Sequence, residues 1–133
     1  MEPSPTDWAY LAGFIDGEGC ISTHPGNGRD LKRKRWRPIF SVQQADQVSL
    51  LEIYQRFQVG HFTLKKAKSG IQGRWVVNRP NEFQWLIEGV LPYLSLKKRQ
   101  AEVALGMVGG TTDRAQVRLL SEMKAPRRDV TSH

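Results

Sequence analysis

Arg29, Lys32, Arg33, Lys34, Arg35 and Arg37 crowd one stretch of the chain, opposed only by Asp30. Lys65, Lys66, Lys68, Arg74 and Arg79 crowd a second, and no acid occurs between Glu52 and Glu82. The two stretches hold 11 of the 20 Lys and Arg residues. Against 13 Asp and Glu the net charge is +7, and the pI is near 9.9. Cationic side chains gathered this way neutralise phosphates, and arginines or amides among them can reach base edges. The charge therefore points to a polyanionic partner. A single basic run is more often a solvated face; two runs on strands of one sheet are harder to set aside. A different chemistry resides in Leu11-Ala12-Gly13-Phe14-Ile15-Asp16-Gly17-Glu18-Gly19, where two carboxylates stand among three glycines at the end of an apolar segment.

The elements that must place these groups are legible in outline. Ser4-Pro5-Thr6-Asp7 has the pattern of a helix start, with Ser4 as N-cap, Pro5 first in the helix and Asp7 three residues after the cap. Trp8, Ala9, Leu11, Ala12, Phe14 and Ile15 make that helix apolar nearly all round, with Gly17 and Gly19 ending it. A helix without a polar face is buried on more than one side, which in so short a chain suggests a second subunit. Strands are predicted at 20–24 and 33–43, joined across Pro25-Gly26-Asn27-Gly28. In the second, Pro38 argues for an edge or a bulge. Asp46 caps a helix to about Phe57 with the stripe Val48, Leu51, Tyr54 and Phe57. Strands near 61–67 and 72–79 follow, with Trp75 and Val77 inward and Arg74, Val76 and Asn78 outward. Asn81 is read as the cap of a third helix, Ser95 of a fourth, and Thr112 or Asp113 as the start of a last one through Val117, Leu120 and Met123.

At 133 residues there is room for one domain and one core, taken as 5–108 with a C-terminal helix and tail over 109–133. The single cysteine, Cys20, excludes a disulfide scaffold, and no Cys/His cluster suits a structural zinc. No apolar stretch approaches the roughly 20 residues of a membrane span, and no leader opens the sequence, so an intracellular protein without a membrane partner is expected. The compartment, the cytoplasm of a prokaryote or an organelle, stays open. The element order is helix, two strands, helix, two strands, helices. It implies an α+β domain whose four antiparallel strands carry helices on one face and leave the other free for the basic runs.

Leu11–Gly19 resembles the signature of the LAGLIDADG homing endonucleases, with Phe14, Gly17 and Glu18 as accepted variants. Phe40-Ser41-Val42-Gln43-Gln44 and Pro92-Tyr93-Leu94-Ser95-Leu96-Lys97 resemble later landmarks of the family, and so does the αββαββα order. The resemblance implies a homodimer joined through the first helix, with Trp8, Ala9, Leu11, Ala12, Gly13 and Asp16 at the interface. Gly13 suits it physically, because a bare backbone allows two helices to approach closely. The resemblance also makes Glu18 the essential metal ligand and catalytic residue, with the Gly17 carbonyl as a further contact. Asp16 is then mostly structural, bonding backbone at the helix end. Gln44 is expected to organise water near the scissile phosphates, and Lys97 to lie near the attacking or leaving group; each could also be a plain phosphate contact. The family often has a basic residue in the second helix where this chain has Val48-Ser49.

Phosphodiester hydrolysis of this kind needs a divalent cation. Mg²⁺ is expected, since it requires only one or two carboxylates beside phosphate oxygens, with Mn²⁺ or Ca²⁺ able to substitute for binding. Double-stranded DNA is the expected partner, and the sheet is the expected reader, a saddle lying in the major groove. Alternation puts Ser22, His24, Arg33, Arg35, Arg37, Ser41, Thr63, Lys65, Gln72, Arg74 and Asn78 on its outward face. Lys66, Lys68, Lys98 and Arg99 suit phosphates. The resemblance thus implies a site-specific endonuclease making a double-strand break with short 3′ overhangs in a palindromic or near-palindromic site, encoded in an intron or other mobile element. Two alternatives remain: an RNA-splicing maturase, with host intron RNA as partner, and a DNA-binding protein of the same fold that has lost cleavage.

Overall fold

A computed structural model describes residues 2–25, 36–68, 70–108 and 119–120. The element order is α1 (Pro5–Glu18), β1 (Gly19–Pro25), β2 (Trp36–Gln44), α2 (Gln47–Phe57), β3 (His61–Ala67), β4 (Gly70–Val77), α3 (Pro80–Val90), a 3₁₀ turn Leu91–Tyr93, and α4 (Lys98–Gly106). The strands form one antiparallel sheet in the order β1-β2-β4-β3. The α+β architecture expected from the element order is therefore present. Arg33, Arg35 and nearly all of the last predicted helix lie outside the described residues. No described helix is long and apolar enough to cross a membrane.

Helix α1 begins as its sequence requires. Asp7 N–H donates to Ser4 Oγ (3.1 Å), Ser4 N–H donates to Asp7 Oδ2 (3.0 Å), and Pro5 occupies the first turn. Asp46 caps α2 as expected, its Oδ1 accepting from Ser49 N–H (3.1 Å), but the caps of α3 and α4 depart from expectation. Helix α3 starts at Pro80 with Arg79 as N-cap and no side-chain cap bond, so Asn81 is already helical. Proline fixes φ and lacks the N–H that a cap would have to satisfy. Helix α4 starts at Lys98 rather than after Ser95, whose N–H is taken by Asp16 instead. Pro38 sits in a strand with neighbours on both sides, but pairing of β2 with β4 begins only at Phe40. At Pro38 the strand is therefore locally an edge, which tolerates the missing donor.

One core lies between the sheet and the helices. Ile21, Phe40, Val42, Trp75 and Val77 rise from the sheet to meet Leu11, Ala12 and Ile15 of α1. Leu50, Ile53 and Phe57 of α2, together with Phe83, Leu86, Ile87 and Val90 of α3, close over them. The buried stripe of α2 is thus offset from the expected one; Val48 is 64% exposed. Both stripes have helical spacing within Val48–Phe57, and the docking of α2 on β4 chose between them. Trp75 fills the middle against Phe40 and donates through Nε1 to the Val59 carbonyl (2.8 Å). Trp8 packs edge-on to Phe57 and Trp85 and lies over Gly89, where a Cβ would come within 2.4 Å of its ring.

Candidate active site

Three features converge on the C-terminal end of α1. Glu18 is the last residue of the helix, not a residue beyond it, and is exposed, as is Gly17. The chain passes directly into β1 at Gly19, which is buried and accepts no larger residue: a Cβ there would stand 2.9 Å from Ile15 Cα. Gly19 pairs with Val42, two residues before the end of β2, so Gln43 and Gln44 end their strand alongside the end of α1. Gln43 is exposed in the outward register; Gln44 lies in the helix-facing register opposite Gly73, and its Oε1 accepts from Ala45 N–H (2.9 Å).

The third feature is α4. Asp16 accepts the N–H groups of Ser95 (2.8 Å) and Lys97 (2.9 Å), one on each carboxylate oxygen. Lys97, only 6% exposed, returns the contact: its Nζ donates to the carbonyls of Ile15 (2.7 Å), Asp16 (3.3 Å) and Gly19 (2.5 Å). A buried ammonium must have such partners, because desolvating a charge without them is prohibitive. The ammonium expected near the reacting groups is thus directed at backbone carbonyls of the motif.

The outer surface of α1 divides the six expected interface residues. Leu11 and Ala12 are fully buried in the chain's own core, Trp8 is packed under α3, and Asp16 is bonded to the approach of α4. Those four are turned inward, because the sheet and α3 claim that side of the helix. Ala9 and Gly13 are exposed, and with them Tyr10 (61%) and Gly17, which were missed. Residues 10, 13 and 17 share one face by their spacing. A Cβ at Gly13 or Gly17 would meet nothing within 4 Å.

On the sheet, the ladder registers bring most of the expected DNA-facing residues to one surface. Ser22 stands opposite Ile39, His24 opposite Arg37, Cys20 opposite Ser41, Gln43 opposite Arg74, Thr63 opposite Arg74 and Lys65 opposite Gln72. Buried Trp75 and Val77 alternate with these, so this is the face away from the helices. Asn78 follows the end of β4 and is half-buried. Val76 is outward as expected, Ile39 shares the register of Arg37 and Ser41, and the same register adds Cys20, Gln43 and His61, which alternation from Ser41 and Arg74 could have found. Lys66 lies in the opposite register, across from Ile71, and is exposed; Lys68 is in the turn. Lys98 and Arg99 are exposed in the first turn of α4. Cations there oppose the helix dipole, so helix stability does not explain them.

Among the described residues no three or more His, Cys, Asp or Glu gather into a metal-holding group. What the end of α1 offers is one carboxylate and adjacent backbone carbonyls, all hard oxygen donors. That set suits Mg²⁺ or Ca²⁺ with water and phosphate oxygens completing the shell. The Asp16 carboxylate is turned to the approach of α4, where each of its oxygens accepts a backbone N–H.

A family model described as LAGLIDADG endonuclease matches residues 11–103. The DNA endonuclease I-CvuI of Chlorella vulgaris is 30% identical over 102 residues, covering 76% of this chain; the chain spans 63% of that relative's length. The crystal structure of I-CvuI with its target in the presence of Ca superposes with a TM-score of 0.73 at 26% identity, over 90% of this chain and 82% of the other. An archaeal intron-encoded homing endonuclease, I-Vdi141I, complexed with DNA, gives a TM-score of 0.73 at 26% identity over 89% and 84%. The match through both the motif helix and the start of α4, on the same fold, means that this chain belongs to the LAGLIDADG endonuclease family.

Proposed function

We propose that the chain is a site-specific DNA endonuclease that cuts both strands of a palindromic or near-palindromic duplex as a homodimer, with Mg²⁺ as its cation. The observation that carries this reading is the exposed Glu18 at the end of a helix whose outer face, Ala9, Tyr10, Gly13 and Gly17, is exposed and uncovered among the described residues. A second copy meeting that face would set two Glu18 carboxylates beside a two-fold axis, one for each strand. The relatives' complexes with DNA support the partner, and the Ca in one of them supports a divalent cation.

Each part of the chain then has a task. The sheet's outward face lies in the major groove, where Arg37, Arg74, Gln72 and Gln43 supply the side chains that hydrogen-bond base edges. Lys65, Lys66, Lys68, Lys98 and Arg99 hold phosphates and set the register of the duplex. Glu18 and the Gly17 carbonyl hold the cation, which when bound neutralises phosphoryl charge and lowers the pKa of water. Gln44, at the end of β2, orients water beside the strand to be cut.

The test is cleavage of a randomised duplex library by the purified protein with Mg²⁺, followed by sequencing of the cut ends. Recovery of one family of two-fold symmetric sites is expected. Glu18→Gln should then lower the rate by about 10²–10³-fold or more, the order lost when an electrostatic group is removed from an active site, while gel-shift affinity for the recovered site stays near the parent's. Uncut libraries under all divalent cations, with specific binding retained, would leave a DNA-binding protein instead.

A further inference from the structure

Helices α1 and α4 hold each other through a crossed pair of contacts. The Asp16 carboxylate, at the end of α1, receives two N–H groups from the approach to α4, and the Lys97 ammonium runs back to three carbonyls around the end of α1. Each charge meets a helix end of the sign it complements, the cation at a C-terminus and the carboxylate on the N-terminal side. An ammonium has three hydrogens to donate. The three carbonyls belong to residues 15, 16 and 19, on either side of Gly17 and Glu18. A lysine that served a scissile phosphate would keep its charge open to the groove; this one is 6% exposed and directs it into the protein.

We propose that Lys97 is a positioning residue for the cutting reaction and does not touch the scissile phosphate. With Asp16 it locks the passage from α1 into β1, so that the Gly17 carbonyl and the Glu18 carboxylate are presented to the cation in one fixed arrangement. Buried Gly19 completes the lock, since its backbone rests on Ile15 too closely to admit a side chain. The inference rests on the reading above that Glu18 holds a divalent cation.

Two substitutions test it with the duplex recovered from the library. Lys97→Met keeps most of the stem and removes the ammonium; Asp16→Asn keeps the shape and weakens the return contact. Electron paramagnetic resonance measures Mn²⁺ binding to the protein–duplex complex, and cleavage is followed against Mg²⁺ concentration. Lys97→Met should weaken Mn²⁺ binding and raise the half-maximal Mg²⁺ concentration by about 10- to 100-fold, the range typical for groups that orient metal ligands. Turnover should recover substantially at saturating Mg²⁺, with duplex affinity in EDTA unchanged. Asp16→Asn should move both quantities the same way, and the double variant should fall short of the sum, because both break one clamp.

Unchanged Mn²⁺ affinity with turnover lost at every Mg²⁺ concentration would overturn the proposal and put Lys97 on the phosphate or the attacking water. Parallel losses of melting temperature, duplex affinity and Mn²⁺ affinity would overturn it too, as a role in folding alone. Should Lys97→Met not fold, Asp16→Asn, which leaves the lysine in place, decides by its Mn²⁺ affinity. A parent protein that cuts no duplex and binds no Mn²⁺ would instead defeat the endonuclease reading, a result separable from either variant's behaviour.

Discussion

Gly13 separates a requirement of the subunit from a requirement of its partner. Among the described residues, a Cβ at this position meets nothing within 4 Å, and replacing a helical glycine removes a cost of about 1 kcal/mol in backbone entropy. Gly13→Leu is therefore expected to raise the stability of an isolated subunit while pushing two copies of α1 apart. Sedimentation velocity with a urea melt checks both halves. A variant that stays dimeric would place the interface elsewhere, and one that loses stability as a monomer would mean an unseen contact. Gly89 is the opposite case. Its missing Cβ is where the Trp8 ring lies, so Gly89→Ala should cost about 1–3 kcal/mol, as overpacking does, read as a lowered urea midpoint with unchanged slope.

Helices α1 and α2 start on carboxylates, and both carboxyls are held below their usual range. For Asp7 the main cause is the Ser4 backbone N–H, followed by the Arg56 guanidinium; for Asp46 it is the Ser49 hydroxyl and then the Ser49 N–H. The Arg56 contact, at 2.6 Å, also ties α2 to α1. A group whose pKa is lowered by folding contributes stability in full above its ordinary value of 3.8. That contribution is lost as the pH falls through the lower folded value. Acid below about pH 4 should therefore fray the first turns of α1 and α2 before the core opens, visible as faster amide exchange at Asp7 and Ser49 than at Ile15 or Ile53. Asp7→Asn with Asp46→Asn should flatten that pH dependence.

The whole molecule puts two kinds of basic residue on one DNA-facing body, and they should fail differently. Arg74, paired across the ladder with Gln43 and Thr63 in the middle of the outward face, is positioned to read a base. Arg74→Ala should relax preference at one position of each half-site by about 1–3 kcal/mol. Lys98, exposed at the start of α4, is positioned for phosphate. Lys98→Ala should weaken all sequences alike and reduce the slope of log affinity against log salt by about 1. Binding assays over a set of single-mismatch duplexes at several salt concentrations tell the two patterns apart; exchanged patterns would mean that the sheet is not seated in the groove as drawn.

What could be read without coordinates was whatever depends on neighbours in the chain. The Ser4–Asp7 box, the alternation of Arg74, Trp75, Val76 and Val77, and the nine-residue run ending in Glu18 are local patterns, and local sterics and hydrogen bonding enforce them. What depended on partners distant in the chain could not be read. Two helical stripes compete in α2, and docking against β4 selected Leu50, Ile53 and Phe57. Trp8, Leu11, Ala12 and Asp16 of the first helix were assigned to a partner subunit although α3, the core and the approach to α4 engage them within the chain. The exchange between Asp16 and Lys97 joins residues about eighty positions apart, and no spacing rule reveals a contact whose two ends meet only when α4 folds back onto the end of α1.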